Sequence, residues 1–241
     1  MKIDWASTQV YNTIMAVAVG IALLQMVRFG WLLLKGKKVN LDGWAIGFGV
    51  TGFILTLTGA HMTLTWPLSK IGFPFDDIIF GEPSLAFGVL LLAATVILWR
   101  KSNRLNTDEK LRNEVEKDSS KLIPHLAEMA KPLSYFAAAM GLALLWTALA
   151  GIYYQLFAAP PEEPISGNFA DYPMVEATFM SLLIAITGLG AILFPFALNK
   201  FSAKSGVVKV MGILWIIAGI LFTLFGTMNY FTHIGLIINT M

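Results

Sequence analysis

VVKVMGILWIIAGILFTLFGTMNYFTHIGL, residues 207–236, is an apolar run long enough to cross a membrane, and the chain holds six such runs. A helix rises about 1.5 Å per residue, so about 20 mostly apolar residues cover the roughly 30 Å of hydrocarbon in a bilayer. The other five are Val10 to Leu34, Trp44 to Trp66, Pro83 to Trp99, Leu133 to Phe157 and Met174 to Leu198. The third is short and is expected to begin further out, within FGEPSL. At 56% hydrophobic and 13% charged, the chain carries more apolar side chain than a soluble core of its size buries, so it needs a lipid solvent. These features predict an all-α, polytopic transmembrane bundle of six helices over residues 1–241, with 100–131 as a connecting segment.

Working outward from the runs, the connections alternate in charge. The first, third and fifth are basic, with Lys35, Lys37 and Lys38, then Arg100, Lys101 and Arg104, then Lys200, Lys204 and Lys209. The second and fourth are mainly acidic, with Asp76, Asp77 and Glu82 in one and Glu162, Glu163, Asp171 and Glu176 in the other. Short loops rich in Lys and Arg stay in the cytoplasm, which predicts a multi-pass cell-membrane protein with both termini extracytoplasmic. The start, MKIDWASTQVYN, lacks the features of a cleavable signal, so the first helix is expected to remain as a span. Trp44, Trp66 and Trp99 stand at span ends, as interfacial tryptophans do.

Several function classes fall away. The basic residues are spread over loops and form no nucleic-acid-like stripe, which argues against DNA or RNA as a partner. There is no cysteine, so disulfides, thiolate metal sites, iron–sulfur ligation and a cysteine nucleophile are excluded together. Segment 100–131 mixes both signs of charge and reads as a solvated helix broken near Pro124, with His125 in solvent.

A weak internal repeat runs through the even spans. Gly52, Thr56, Leu57, Gly59 and Thr65 of span two recur as Gly219, Thr223, Leu224, Gly226 and Thr232 of span six, and Leu149, Gly151 and Leu156 follow loosely in span four. Glu82 and Glu176 each open an odd span. The pattern suggests three pseudo-repeated hairpins, spans one with two, three with four and five with six. Gly212, Gly219 and Gly226, seven apart, make a stripe along one face, and Gly43 with Gly47 has the small-xxx-small spacing. Such residues let helix backbones approach closely in lipid, so packing is their first reading.

Polar residues within the spans gather toward the acidic side. His61 shares a helix face with Thr58 and Thr65, while Asn229 and His233 are four apart on another. An ionisable group in a membrane is a functional-site hypothesis, because its desolvation must be offset by a partner or by water. The residues considered are His61, Glu82, Glu176, Asn229 and His233 as metal ligands, with His61 and His233 also available as axial ligands to a haem. Plainer readings stand beside these: a neutral His61 satisfied by Thr58 or Thr65, an interfacial His233, and Glu82 and Glu176 as helix-start carboxylates near Pro83 and Pro173. No His-x-x-x-His or Glu-x-x-His spacing occurs.

The stretches FILTLTGAHMTLTWPL, residues 53–68, and FGEPSLAFGVLLLAA, residues 80–94, resemble an uncharacterised family of prokaryotic six-span membrane proteins. The resemblance is strongest between Thr56 and Ala94, extends over the hydrophobic plan, and singles out His61, Trp66, Pro67, Gly81, Glu82 and Pro83. It implies a bacterial or archaeal membrane and carries no activity with it.

Three functions compete at this level. One is a metal or haem site near the outer face taking part in electron transfer. Another is a non-catalytic subunit whose glycine-striped faces dock onto other membrane subunits. The last is a small-solute or proton-coupled transporter that uses Glu82 and Glu176 as entry groups. Beyond the lipid bilayer itself, the residues name no partner and no reaction.

Overall fold

The computed structural model describes residues 12–65 and 75–241, so Val10 of the first run, together with Trp66 and Pro67, lies outside it. Six long apolar helices of membrane-crossing length are present: α1 (Asn12–Leu34), α2 (Leu41–Thr65), α3 (Glu82–Thr107), α5 (Ile123–Tyr154), α6 (Pro173–Asn199) and α7 (Gly206–Thr240). A short polar helix, α4 (Glu109–Lys117), lies between α3 and α5, and a π-helical turn, Asp77–Gly81, leads into α3. The described residues contain no strand. This is an integral membrane protein with an all-helical fold.

Helix ends follow local chemistry. Pro83, Pro124 and Pro173 stand in the first turns of α3, α5 and α6, where a missing N–H costs nothing. The Asp108 carboxylate accepts the Leu111 N–H at 2.9 Å and so caps α4. Gln155, in the left-handed region at φ 54°, ends α5. Pro124 therefore starts a helix and does not break one: the break lies at 118–122, and α3 and α5 both run into the 100–131 segment.

The basic connections meet at one end of the bundle. The Ser119 hydroxyl donates to the Lys37 carbonyl at 2.5 Å, and the Lys131 ammonium donates to the Pro195 carbonyl at 2.7 Å. The acidic connection between α5 and α6 lies at the other end, against the last turns of α7.

Neighbour follows neighbour in the order α1, α2, α3, α5, α6, α7 and back to α1, closing a ring. Three pairs pack much more tightly than the rest: α2 with α3, α5 with α6, and α7 with α1. Each is built on a reciprocal glycine contact. A Cβ on Gly52 would lie 3.0 Å from the Gly88 carbonyl oxygen, and one on Gly88 would lie 2.9 Å from that of Gly52. Gly141 and Gly188 would meet each other's carbonyls at 2.6 and 2.7 Å, and Gly20 and Gly219 at 2.7 and 3.0 Å. Backbone touches backbone at all three crossings, which no larger residue allows.

The tight pairs join each even span to the following odd one, with span six closing on span one. They are offset by one helix from the hairpins that the repeat suggested, and those expected hairpins are the looser contacts of the ring. Gly52 and Gly219, aligned in the repeat, do play equivalent parts. In α5 that part falls to Gly141, three residues before the aligned Leu144, which accounts for the poor match of span four. The ring's outer surface is apolar, with Phe53, Leu142, Trp146 and Leu224 exposed to the lipid.

Candidate functional site

At the acidic end, the loop between α5 and α6 folds over the last turns of α7. Pro164 sits against Gly235, leaving no room there for a side chain, and the Asn239 amide donates to the Glu162 carbonyl at 2.8 Å. This places Glu163 Oε1 3.9 Å from His233 Nε2, both side chains being largely buried at 10% and 14% exposed. Burial raises the Glu163 carboxyl above its ordinary range, and the neighbouring Thr232 hydroxyl opposes that shift. Glu176, in the first turn of α6, accepts the Ala159 N–H at 2.7 Å, with the buried Ser166 beside it and the Glu163 charge within reach. Asn229 is 5% exposed, one turn deeper than His233 on the same face of α7. The Nδ1 of His233 is buried and has no hydrogen-bond partner among the described residues.

The five expected ligands therefore divide. Glu176, Asn229 and His233 belong to this one end of α6 and α7. His61 and Glu82 are exposed and stand on α2 and α3, which pack on each other. His61 is within electrostatic reach of Asp77, whose side chain is buried at 8% exposed in the π-helical turn. Asp76, just before that span, has its carboxyl pushed up to about 7 by burial and then by the adjacent Asp77. The Thr58 hydroxyl donates to the Ile54 carbonyl, and that of Thr65 to the carbonyl of His61, so both donate within their own helix. His61 and His233 have different carboxylate neighbours and sit on helices that are not a close pair, so the structure does not bring them together as two axial ligands. Among the described residues, no three His, Asp or Glu side chains converge to hold a metal ion.

Glu163 and Asp77 are the residues that sequence reasoning passed over. Both were counted as loop charge, and no local pattern announces their partners, which are 70 and 16 residues away in sequence.

The ring surrounds a half-open cavity of about 730 Å³. Along α1 its lining runs from Asn12 to Leu34, about 33 Å of helix, so the cavity is as long as the hydrocarbon layer is thick. Phe87, Leu90, Leu133, Met140, Ile184 and Phe222 are among the apolar side chains that line it. Polar groups occur at its ends, Asn12, Ser84 and Asn229 toward the acidic end and Lys35 and Lys209 toward the basic one, with Thr187 between. Among the described residues, no Asp, Glu or His lines it. The polar cluster thus roofs the cavity through Asn229, and the cluster's titratable groups stay outside.

Fold and site together define a six-span helical membrane protein with an apolar interior cavity. The chain belongs to the family described as a protein of unknown function, DUF981, whose profile matches residues 8–235. No curated protein and no solved structure matches the chain.

Proposed function

We propose that this protein holds a long-chain apolar molecule within the membrane, in the cavity enclosed by its six spans. The supporting observation is the shape and chemistry of that cavity: about 730 Å³, within the range of small-molecule sites, apolar along its length and as long as the hydrocarbon layer is thick. An apolar cavity does not fill with water, and a void of this size costs contact energy on every wall that faces it. A hydrocarbon chain restores those contacts. Entry fits the α3 and α5 seam, the loosest of the ring, where α5 is also the least buried of the six spans.

Metal or haem binding with electron transfer is the second reading. One observation favours it: among the described residues nothing hydrogen-bonds the buried Nδ1 of His233, whose Nε2 lies 3.9 Å from the Glu163 carboxylate. The absence of a converging three-residue set among the described residues counts against it, as does the separation of His61 from His233. Docking onto other subunits loses two of its glycines, because Gly219 and Gly226 face α1 within the chain. Transport through Glu82 and Glu176 finds neither residue in the cavity lining. The cell-membrane orientation with both termini outside rests on the basic connections sharing one face.

Two measurements on one detergent-purified sample separate the readings: solvent extraction of bound molecules, and an absorption spectrum with elemental analysis. A stoichiometric long-chain molecule supports the proposal. A Soret band or a stoichiometric metal, with nothing extracted, would replace it with the second reading.

A further inference from the structure

We infer that the cavity's occupant is an anionic amphiphile, its acidic head group between Lys35 and Lys209 and its chain along the bundle axis; this rests on the cavity being a ligand site. Among the described residues, the only charged side chains that line the cavity are these two lysines, and both stand at the same end of it. Lys35 follows α1 directly and Lys209 lies in the first turns of α7; these antiparallel helices form one of the three tight pairs. Neither lysine enters an ion pair among the described residues, whereas Lys38 and Lys121 nearby are paired with Glu116 and Glu114. Both lysines are exposed at the end of the apolar cavity, where an ammonium keeps contact with water and attracts an anionic head group.

The opposite end is different in kind. Among the described residues it offers neutral groups, Asn12, Ser84 and Asn229, and none of those residues hydrogen-bonds the buried Asn12 amide oxygen. Among the described residues no cation stands there to offset a desolvated anionic head, which favours the lysine end for it.

Trp31 and Trp215 line the tube and make the inference measurable. A brominated long-chain fatty acid, a brominated alcohol of equal length and inorganic phosphate are titrated against tryptophan fluorescence. The acid is expected to quench saturably and to bind about tenfold tighter than the alcohol, while phosphate changes nothing. Lys35→Gln with Lys209→Gln should remove that tenfold preference without altering alcohol binding, and Lys35→Arg with Lys209→Arg should keep it. Gly212→Leu should abolish binding of acid and alcohol alike, since Gly212 lines the cavity and a Cβ there meets nothing within 4 Å. Equal affinity of acid and alcohol, or an unaltered preference in the double glutamine variant, overturns the anionic head while leaving the cavity site standing. Saturable binding that survives Gly212→Leu, or none in the wild type, overturns the cavity reading itself.

Discussion

The seams and the centre of this ring are made from the same residue types and behave in opposite ways. At Gly141 and Gly188 the backbones touch, and an added methyl group would lie 2.6 to 2.7 Å from the facing carbonyl oxygen. At Gly212, on a helix that belongs to another of the tight pairs, an added methyl group meets nothing within 4 Å because it points into the cavity. Glycine at a seam lets van der Waals contact replace a hydrophobic force that lipid does not supply. Glycine facing the cavity widens the space between the helices. A fold whose tight pairs are packed to backbone contact is able to pack, so its open centre calls for a functional reason.

The largest effect should come from Gly188→Val, which drives a branched side chain into Gly141. Overpacking costs about 1–3 kcal/mol in ordinary cores, and contact against rigid backbone puts this substitution at or above the top of that range. Thermal unfolding in detergent should show it, and a Gly188→Val protein as stable as the wild type would break the contrast. Gly212→Val should change stability by less than about 0.5 kcal/mol in the same assay.

A smaller effect is expected at the acidic end. The folded pKa of Glu163 lies above its unfolded value, so its share of stability is fully present below the ordinary glutamate pKa and is lost as pH rises through the raised value. Unfolding measured across that window should lose this component in Glu163→Gln; equal pH profiles for the two proteins would remove Glu163 from the account. The smallest effect belongs to Lys38→Ala, which removes a 3.9 Å ion pair with Glu116 whose partners are 78% and 52% exposed. Its cost should stay below about 0.5 kcal/mol and vanish in salt.

The sequence made the spans legible because a run of about twenty apolar residues matches the thickness of a bilayer and little else. It also showed that Gly219 and Gly226 are packing residues, since their spacing repeats along one helix face. Their partner was not legible. Gly219 faces Gly20 at the far end of the chain, and nothing local to either residue encodes that meeting. The early start of α5 was missed for a related reason: IPHLAEMAK is amphipathic, with Ile123, Leu126 and Ala127 on the cavity and Glu128 exposed, so its hydropathy never reaches that of a span. Of the candidate site, His233, Asn229 and Glu176 were found as polar exceptions in apolar helices, while Glu163 was hidden in a loop whose course depends on the whole fold. The cavity was invisible altogether. Leu90 faces it, Leu142 faces lipid and Leu183 is buried between helices, and hydropathy reads all three alike.

Native mass spectrometry of the wild type and Gly212→Leu, released from detergent under identical conditions, tests the central claim most directly. The account predicts a single long-chain adduct on the wild type and none on Gly212→Leu, with both proteins equally stable. An adduct retained equally by both, or absent from a wild type purified without delipidation, would contradict it.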